Sequence, residues 1–339
     1  MDGSVAPPLV EISDLSVKFV SREATVHAVS EVSFTARRGE VLCILGESGS
    51  GKSVTLRTLM RLLPRQARVA GDVRVNGRDV LAMGGRELRD LRGGLVSMIF
   101  QEPMTALDPV YTIGQQIGET VRRHTGCDRR AARTRALELL ELVRIPSAER
   151  RLDAYPHELS GGLRQRAMIA MALSCNPELL LADEPTTALD ATVQVQVLIL
   201  LRRLQRELGM GMIFVTHDLG VAAEIADTIA VMYAGRVVEV GPVAGVLSNP
   251  LHPYTAGLLA STVHGQAKDA DIDAIPGSPP DMRRLPQGCS FAPRCPRRLA
   301  VCRSTAPEPR IPEPGRLVAC HNTLAVAGNP MSAKGQTPK

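Results

Sequence analysis

The chain has 339 residues, which is enough for one large domain or two ordinary ones with a substantial core. Its 44% apolar and 22% charged residues are typical of a folded globular protein. The net charge of +5 is modest and there is no tryptophan, which argues against nucleic-acid binding by base stacking. No stretch approaches the roughly 18 apolar residues of a membrane-spanning helix, and the first residues lack the pattern of a signal peptide. We therefore expect the chain to stay in the cytoplasm, with docking on a membrane protein left open.

The first part of the chain predicts an antiparallel β layer. Residues 9–19 and 27–36 alternate between apolar and polar side chains, and residues 72–77 form another such run that ends in an Asn-Gly turn. Phe19 lies in the first of these strands. Its ring could stack on an adenine or face the core of the layer, and the sequence leaves both interpretations open.

A glycine-rich segment, Gly46-Glu-Ser-Gly-Ser-Gly-Lys-Ser53, directly follows the apolar run 41–45. It fits the pattern of a phosphate-binding loop between a strand and a helix, the latter predicted over 55–63. Glycines let successive backbone N–H groups approach the phosphates, a lysine neutralises their oxygens, and a serine hydroxyl ligates Mg²⁺. The residues predicted to bind the nucleotide here are Gly46, Ser48, Gly49, Ser50, Gly51, Lys52 and Ser53.

A short apolar strand, residues 96–100, ends at Gln101 and is followed by a change of pattern. Residues 112–124 and 130–143 carry apolar side chains at helical spacing among many charges. This indicates a helical insertion over about 102–160. A helix of small and apolar residues is predicted next, over 167–173.

Two further strands end in polar groups. Residues 179–182 lead into Asp183 and Glu184, and residues 212–216 lead into His217. Because ligands of open α/β sheets bind at the carboxyl ends of the strands, Asp183 is predicted to hold Mg²⁺ and Glu184 to polarise the attacking water. The alternative interpretation is an exposed helix start at Asp-Glu-Pro. Both can hold, because catalytic acids often lie where a strand leads into a helix. His217 is predicted to hydrogen-bond the γ-phosphate.

Four cysteines crowd the last sixth of the chain, whereas Cys43, Cys127 and Cys175 are scattered. In a reducing compartment such a group predicts a metal site more often than disulfides, and four thiolates suffice for a tetrahedral ion or a cluster. The surrounding segments are rich in proline and predict little regular structure, which favours a metal as the organising centre. Four reduced structural thiols remain the alternative. The cysteines are Cys289, Cys295, Cys302 and Cys320.

These motifs together resemble the nucleotide-binding subunits of ABC transporters over about residues 8–260. The phosphate loop matches Walker A, Gln101 the Q-loop, Leu179–Glu184 Walker B, and His217 the switch histidine. Ala188-Leu-Asp190 matches the D-loop and Leu159-Ser-Gly-Gly162 the ABC signature, although Leu163 stands where the family commonly has glutamine. Catalytic roles are thereby implied for Glu184, His217 and Gln101, with Ser53 and Gln101 on Mg²⁺. The signature residues Ser160, Gly161 and Gly162 are implied to bind ATP from the opposite subunit of a dimer.

A narrower resemblance links the chain to ATPase subunits of oligopeptide, dipeptide and nickel importers. It rests on residues 98–109, Arg164-Gln-Arg166, residues 249–255 and the sequence Gly288-Cys-Ser-Phe-Ala-Pro-Arg-Cys295. Such subunits carry a C-terminal extension, here about 261–322, and members resembling this one can hold a [4Fe-4S] cluster. We prefer that cluster to Zn²⁺ for the four cysteines. Residues 323–339 lack periodicity and predict a disordered tail.

The fold that these resemblances imply is α/β, a RecA-like P-loop core with an antiparallel β subdomain, a helical signature subdomain and the cysteine-containing extension. The implied partners are a second ATPase subunit, preferably a paralogue, two transmembrane permease subunits and an extracytoplasmic solute-binding protein. The expected function is ATP hydrolysis that drives peptide import at the cytoplasmic face of a membrane.

Alternatives are import of nickel or another small solute, a soluble ABC ATPase outside transport, and a redox-sensing subunit gated by the cysteines. The soluble ATPases of DNA repair have a long coiled-coil insertion, and those of translation have two ATPase halves. The chain shows neither feature.

Overall fold

A computed structural model of the chain describes residues 7–102, 106–187, 189–261 and 275–324. Within these ranges the strands are β1 Val10–Val20, β2 Thr25–Ala36, β3 Val41–Leu45, β4 Ala67–Val75, β5 Arg78–Asp79, β6 Val96–Ile99, β7 Leu179–Asp183, β8 Gly211–Thr216, β9 Thr228–Tyr233, β10 Arg236–Pro242, β11 Arg310–Glu313 and β12 Arg316–Val318. The α-helices are α1 Lys52–Leu59, α2 Gly85–Leu91, α3 Ile113–Thr125, α4 Arg129–Leu142, α5 Ala148–Leu152, α6 Gly161–Ala172, α7 Ala191–Leu208, α8 Leu219–Ile225, α9 Val243–Ser248 and α10 Pro253–Ala260.

The central sheet has eight strands in the order β11-β12-β10-β9-β3-β8-β7-β6. Strands β9, β3, β8, β7 and β6 are parallel. Every residue of β3, β7 and β8 is buried, as expected for strands covered on both faces, and this is why their sequences are continuous apolar runs. Because these strands are parallel, the carboxyl ends of β3, β7 and β8 lie side by side at one edge of the sheet.

A second sheet is antiparallel, with the order β2-β1-β4-β5. Its strands alternate between buried and exposed residues because one face packs on the core and the other meets solvent. The antiparallel β layer predicted from the sequence is thus confirmed, and with it the α/β fold with a P-loop core.

A helical layer lies between β6 and β7 in the chain. Helix α3 begins at Thr112, whose hydroxyl accepts from the Gln115 amide at 3.3 Å, and α4 begins at Asp128, whose carboxylate accepts from the Ala131 amide at 2.8 Å. Gly126 ends α3 in the left-handed conformation. The two predicted helices of the insertion are present to within a residue or two of their expected ends.

The C-terminal extension joins the central sheet directly, a feature that the sequence did not predict. Strand β12 pairs antiparallel with β10, and the Arg316 guanidinium forms a buried ion pair with Glu239, 2.5 Å between Nη2 and Oε1. The Glu239 carboxylate also accepts from the amides of Leu251 and His252 at 2.9 Å. Proline-rich loops surround these strands, but the extension still contributes two strands to one edge of the central sheet.

Some predictions fall on residues outside the described ranges. The residues concerned are 103–105 of the predicted helical insertion, Ala188 of the D-loop, 262–274 of the predicted extension and 325–339 of the predicted disordered tail. Among the helices that the structure does describe, none combines the length and apolar character needed to cross a membrane.

Candidate functional site

The phosphate loop leads from the end of β3 into α1. Gly51 has φ +99°, which favours glycine, and a Cβ there would lie 2.4 Å from the Ala28 carbonyl oxygen. A Cβ at Gly46 would lie 2.1 Å from the carbonyl oxygen of Met232. Packing against neighbouring backbone therefore requires glycine at both positions, and the loop can present backbone N–H groups to an anion at the start of α1.

Lys52 lies buried at the start of α1. Its Nζ donates to the carbonyl oxygens of Gly46 at 2.7 Å and Glu47 at 2.9 Å, and it lies 4.0 Å from Glu184 Oε1. Burial lowers the pKa of Lys52, while the charges of Glu184 and Asp183 oppose that shift. Within the loop, Lys52 is hydrogen-bonded only to neutral carbonyl oxygens. A bound phosphate would offer this ammonium group a negatively charged partner.

Ser53 and Asp183 meet as expected for a Mg²⁺ site. The Ser53 hydroxyl donates to Asp183 Oδ1 at 2.6 Å, and burial raises the pKa of Asp183 although this hydrogen bond opposes the shift. Among the described residues, Asp183 Oδ2 has no hydrogen-bond partner, and the Arg57 guanidinium is 3.8 Å from it. A buried carboxylate oxygen without a donor, beside a serine hydroxyl, fits the hard oxygen ligands that Mg²⁺ prefers.

Glu184 is the point at which the other predicted catalytic residues converge. Its Oε2 accepts from Gln101 Nε2 at 3.3 Å and lies 3.3 Å from His217 Nδ1. The residue has φ +45°, an uncommon conformation for a residue with a side chain, and its amide donates to Val215 at 3.1 Å. The ends of β6, β7 and β8 therefore bring a carboxylate, an amide and an imidazole together next to the phosphate loop.

Thr187 is a contact that the sequence analysis missed. Its hydroxyl donates to Glu184 Oε2 at 3.0 Å and so helps to orient the carboxylate. Thr187 lies three positions after Glu184, between the Walker B and D-loop motifs. This short spacing was the one sequence feature that indicated a contact with Glu184. Arg57, one turn into α1 and on the same side as Ser53, was missed as well.

The signature residues begin helix α6. Ser160 is its exposed N-cap residue, and in the described part of the chain its hydroxyl makes no capping bond to an amide of α6. A Cβ on Gly162 would lie 2.7 Å from Val193 Cγ1, so close packing against α7 requires glycine. Leu163, which stands where the family commonly has glutamine, is partly buried and packs against the core. The exposed helix start is open to an anion from outside the chain.

Phe19 is partly buried on β1 and packs against the core of the antiparallel sheet. Part of the ring remains accessible. Both interpretations from the sequence therefore remain compatible with its position, and adenine stacking stays a prediction.

The four cysteines of the extension lie close enough for their thiols to affect one another electrostatically. Burial raises the pKa of Cys320 to about 11, with a smaller contribution from the other three cysteines. Backbone N–H groups point at the sulfurs, with Leu299 N 3.4 Å from Cys302 Sγ and Asn322 N 3.3 Å from Cys320 Sγ. Nevertheless, across the described residues no group of three or more His, Cys, Asp or Glu side chains is arranged to hold a metal ion. The geometry thus gives no support to the four-thiolate site that the spacing predicted.

The ABC transporter family model matches residues 29–187, and the model of the oligopeptide/dipeptide transporter C-terminal region matches residues 238–302. The second match includes three of the four cysteines. The chain is 48% identical over 312 residues to the oligopeptide transport ATP-binding protein OppD of Salmonella typhimurium, covering 92% of this chain and 93% of that protein. It is 46% identical over 315 residues to OppD of Escherichia coli, covering 93% of each.

Solved structures agree with this assignment. A dimeric post-hydrolysis state of the ATP-binding cassette MJ0796, bound to ADP and Pi, superposes with a TM-score of 0.62 at 29% identity. The superposition covers 69% of this chain and 98% of the MJ0796 chain. The geometry of the site and these similarities agree on ATP as the substrate and Mg²⁺ as its metal ion. The chain is an ABC-type ATPase and belongs to the ATP-binding subunits of the oligopeptide and dipeptide transporter family.

Proposed function

We propose that the chain hydrolyses ATP to drive import of peptides through a membrane permease. The observation that carries the proposal is the convergence of Gln101, Glu184 and His217 beside Lys52 and the Ser53–Asp183 pair. The relatives named for oligopeptide transport, matched over nearly their whole length, support peptides as the cargo. Nickel or another small solute is the alternative cargo for the same machinery.

Glu184 acts as the general base in this proposal. Thr187, Gln101 and His217 all contact its Oε2, which fixes the carboxylate at the edge of the sheet where the γ-phosphate of ATP would lie. His217 is 57% exposed, so its ring is accessible to a phosphate oxygen as well as to Glu184. Lys52, Ser53 and Asp183 would hold the phosphates and Mg²⁺, which neutralises the charge that develops on the leaving group.

The site requires a second subunit to complete it. Ser160, Gly161 and Gly162 start a helix whose N-terminus is exposed, and this supports their binding to the triphosphate held by a partner. A paralogous ATPase subunit is the partner that we propose. ATP binding would close the dimer, and hydrolysis would reopen it.

Exposed apolar residues near the Q-loop support docking on a permease. Phe100, which directly precedes Gln101, is 36% exposed. Val110 and Tyr111, just before α3, are 69% and 52% exposed. A permease loop that covers them would bury apolar area and contact the region that carries Gln101. We therefore propose a peripheral position at the cytoplasmic face of the membrane, with a solute-binding protein on the other side.

For the cysteine region we propose a [4Fe-4S] cluster, with Zn²⁺ as the alternative. The electrostatic coupling of Cys320 to the other three cysteines supports a shared site. Burial raises the pKa of Cys289, Cys295 and Cys320, and backbone hydrogen bonds to the sulfurs oppose this only in part, so a bound metal would have to stabilise the thiolates. Since the sulfurs are not arranged around a common centre, they would have to move together on binding. Iron and acid-labile sulfide in anaerobically purified protein test this, and zinc without iron would exclude the cluster.

The catalytic proposal is tested with Glu184→Gln in the reconstituted transporter. We expect the Kd for ATP to stay within about threefold and phosphate release and uptake of a labelled peptide to fall at least about 100-fold, because the general base is lost. Glu178→Gln is the matched control, since Glu178 directly precedes the same strand and pairs with Arg38 at the surface. Undiminished phosphate release would remove Glu184 from the catalytic role. Uptake of Ni²⁺ instead of peptide would change the cargo and leave the ATPase assignment intact.

A further inference from the structure

The loop that carries Cys289 and Cys295 also carries an arginine that reaches the phosphate loop. Arg294 Nη1 donates to Glu47 Oε2 at 2.9 Å and to the Tyr233 hydroxyl at 3.3 Å. Glu47 follows Gly46 in the phosphate loop, and the two partners are 247 positions apart in sequence. The Arg294 side chain is only 7% exposed, so this ion pair is largely shielded from solvent.

The remaining hydrogen bonds of Arg294 fix it to the extension. Its Nε donates to the Pro276 carbonyl oxygen at 2.9 Å, and Nη2 donates to the Ile275 carbonyl oxygen at 3.3 Å. The planar guanidinium therefore has a set orientation before it meets Glu47. Among these partners of Arg294, the negatively charged one is Glu47 of the phosphate loop.

Glu47 is held at three places in the described structure. Its carboxylate meets Arg294, its amide donates to the Tyr254 hydroxyl at 3.0 Å, and its carbonyl oxygen accepts from Lys52 Nζ at 2.9 Å. The last contact matters for ATP, because the Glu47 carbonyl oxygen competes for the ammonium group that we propose binds the phosphates. The position of Glu47 thus affects both the loop backbone and the lysine.

Phe291 of the same extension loop packs against both tyrosines. Its ring centroid lies 5.2 Å from that of Tyr233 and 5.4 Å from that of Tyr254, in edge-to-face geometry. One short loop of the extension consequently supports the two hydroxyl groups and the guanidinium that surround Glu47.

We propose that Arg294 is a positioning residue for ATP binding. Through Glu47 it holds the first half of the phosphate loop in the conformation that accepts the triphosphate, so the extension contributes to nucleotide affinity. Without the guanidinium, the Glu47 side chain, which is 26% exposed, is free to turn toward solvent, and the loop loses one of its three supports. The proposal does not depend on the cargo.

The test uses the full-length chain, purified anaerobically, with a fluorescent ATP analogue for equilibrium binding and phosphate release for turnover. For Arg294→Gln we expect the Kd and the KM for ATP to rise about tenfold, with kcat within about twofold, because a charge-assisted contact that orders the loop is lost. Arg294→Lys should restore part of the affinity. Glu47→Gln should match Arg294→Gln, and the double variant should be no weaker than either, since both remove the same interaction.

Arg316→Gln is the matched control. Arg316 is the other buried arginine of the extension that pairs with a core carboxylate, but its described partners are Glu239, Glu313 and the Asn249 carbonyl oxygen rather than a residue of the phosphate loop. This variant should lower the unfolding midpoint and leave the Kd for ATP of the folded protein unchanged.

Three results would overturn the proposal. They are wild-type affinity in Arg294→Gln, an equal loss of affinity in Arg316→Gln, and fully additive losses in the double variant. If Arg294→Gln does not fold, Glu47→Gln and Arg294→Lys carry the test, and wild-type affinity in both would overturn it equally.

Discussion

The phosphate loop and the cysteine-bearing extension contact each other, but they are specified in different ways. The loop is a contiguous motif whose function follows from its backbone, since Gly46 and Gly51 pack against carbonyl oxygens where no side chain fits. The extension is positioned by single side chains that reach far along the sequence, Arg294 to Glu47 and Arg316 to Glu239. Motif recognition therefore predicts how the first region binds phosphate, whereas for the second it predicts a cysteine site and gives no sign of the contact with the phosphate loop.

Electrostatics separates the two regions further. At the phosphate loop, Lys52 lies 4.0 Å from Glu184, and one oxygen of the buried Asp183 has no hydrogen-bond partner among the described residues, so both groups are placed where we propose that phosphate and Mg²⁺ bind. At the junction with the extension, the buried charges are already paired with each other. The difference indicates that one region is built to bind a charged substrate and the other to hold the first in place.

The largest effect is expected from Gly51→Ala. A methyl group at φ +99° would be strained and would meet the Ala28 carbonyl oxygen, so the loop must move away from its binding conformation. We expect the Kd for ATP to rise at least about 100-fold, measured by equilibrium binding.

Gly39→Ala provides the control for backbone strain alone. Gly39 has φ +72° in the turn before β3, and no described atom outside its chain neighbours lies within 4 Å of the position of a Cβ. A small loss of stability with normal ATP affinity is expected there. Normal affinity in Gly51→Ala would show that contact with Ala28 does not shape the phosphate loop.

A smaller effect is expected at His252, near the junction with the extension. Burial lowers the pKa of His252 to about 3, so the folded protein leaves the ring neutral while the unfolded chain takes up a proton below about pH 6.5. Stability is therefore lost as the pH falls from 6.5 toward 3. Between pH 7 and pH 5.5 the loss from this group should be about 1 kcal/mol, measured by urea unfolding.

His252→Asn should remove this pH dependence and keep the helix start. His252 Nδ1 accepts from the Tyr254 amide at 3.0 Å, and an asparagine side chain can cap α10 in the same way. An unchanged loss of stability between the two pH values in the variant would assign the effect to another group.

Local patterns predicted most of the residues that meet in the candidate ATP site. Asp183, Glu184 and His217 each follow an apolar run, and parallel strands bring such ends together, so their meeting followed from the sequence. Helix α7 was not predicted, although Asp190 caps its start and Gly209 ends it in the left-handed conformation. In that case the signals were present and were overlooked.

The junction with the extension could not have been predicted in the same way. No periodicity relates Arg294 to Glu47, and the proline-rich segments gave no sign that β12 would extend the sheet. Cysteine spacing suggested a tetrahedral site, but spacing along a chain does not determine how far apart the sulfurs lie once the loops fold. Contacts between side chains distant in sequence depend on the complete fold and cannot be derived from local patterns.

Strand β11 is the edge strand on one side of the central sheet, and its sequence disfavours pairing with further strands. It has four residues, begins at Arg310, ends at Glu313 and includes Pro312, which has no N–H to donate. Short strands with proline and charge are poor templates for strands from other chains. Without β11 and β12, the longer and more apolar β10 would form this edge with its hydrogen-bonding groups exposed. We therefore expect loss of the extension to leave the edge of β10 open to pairing with strands of other chains.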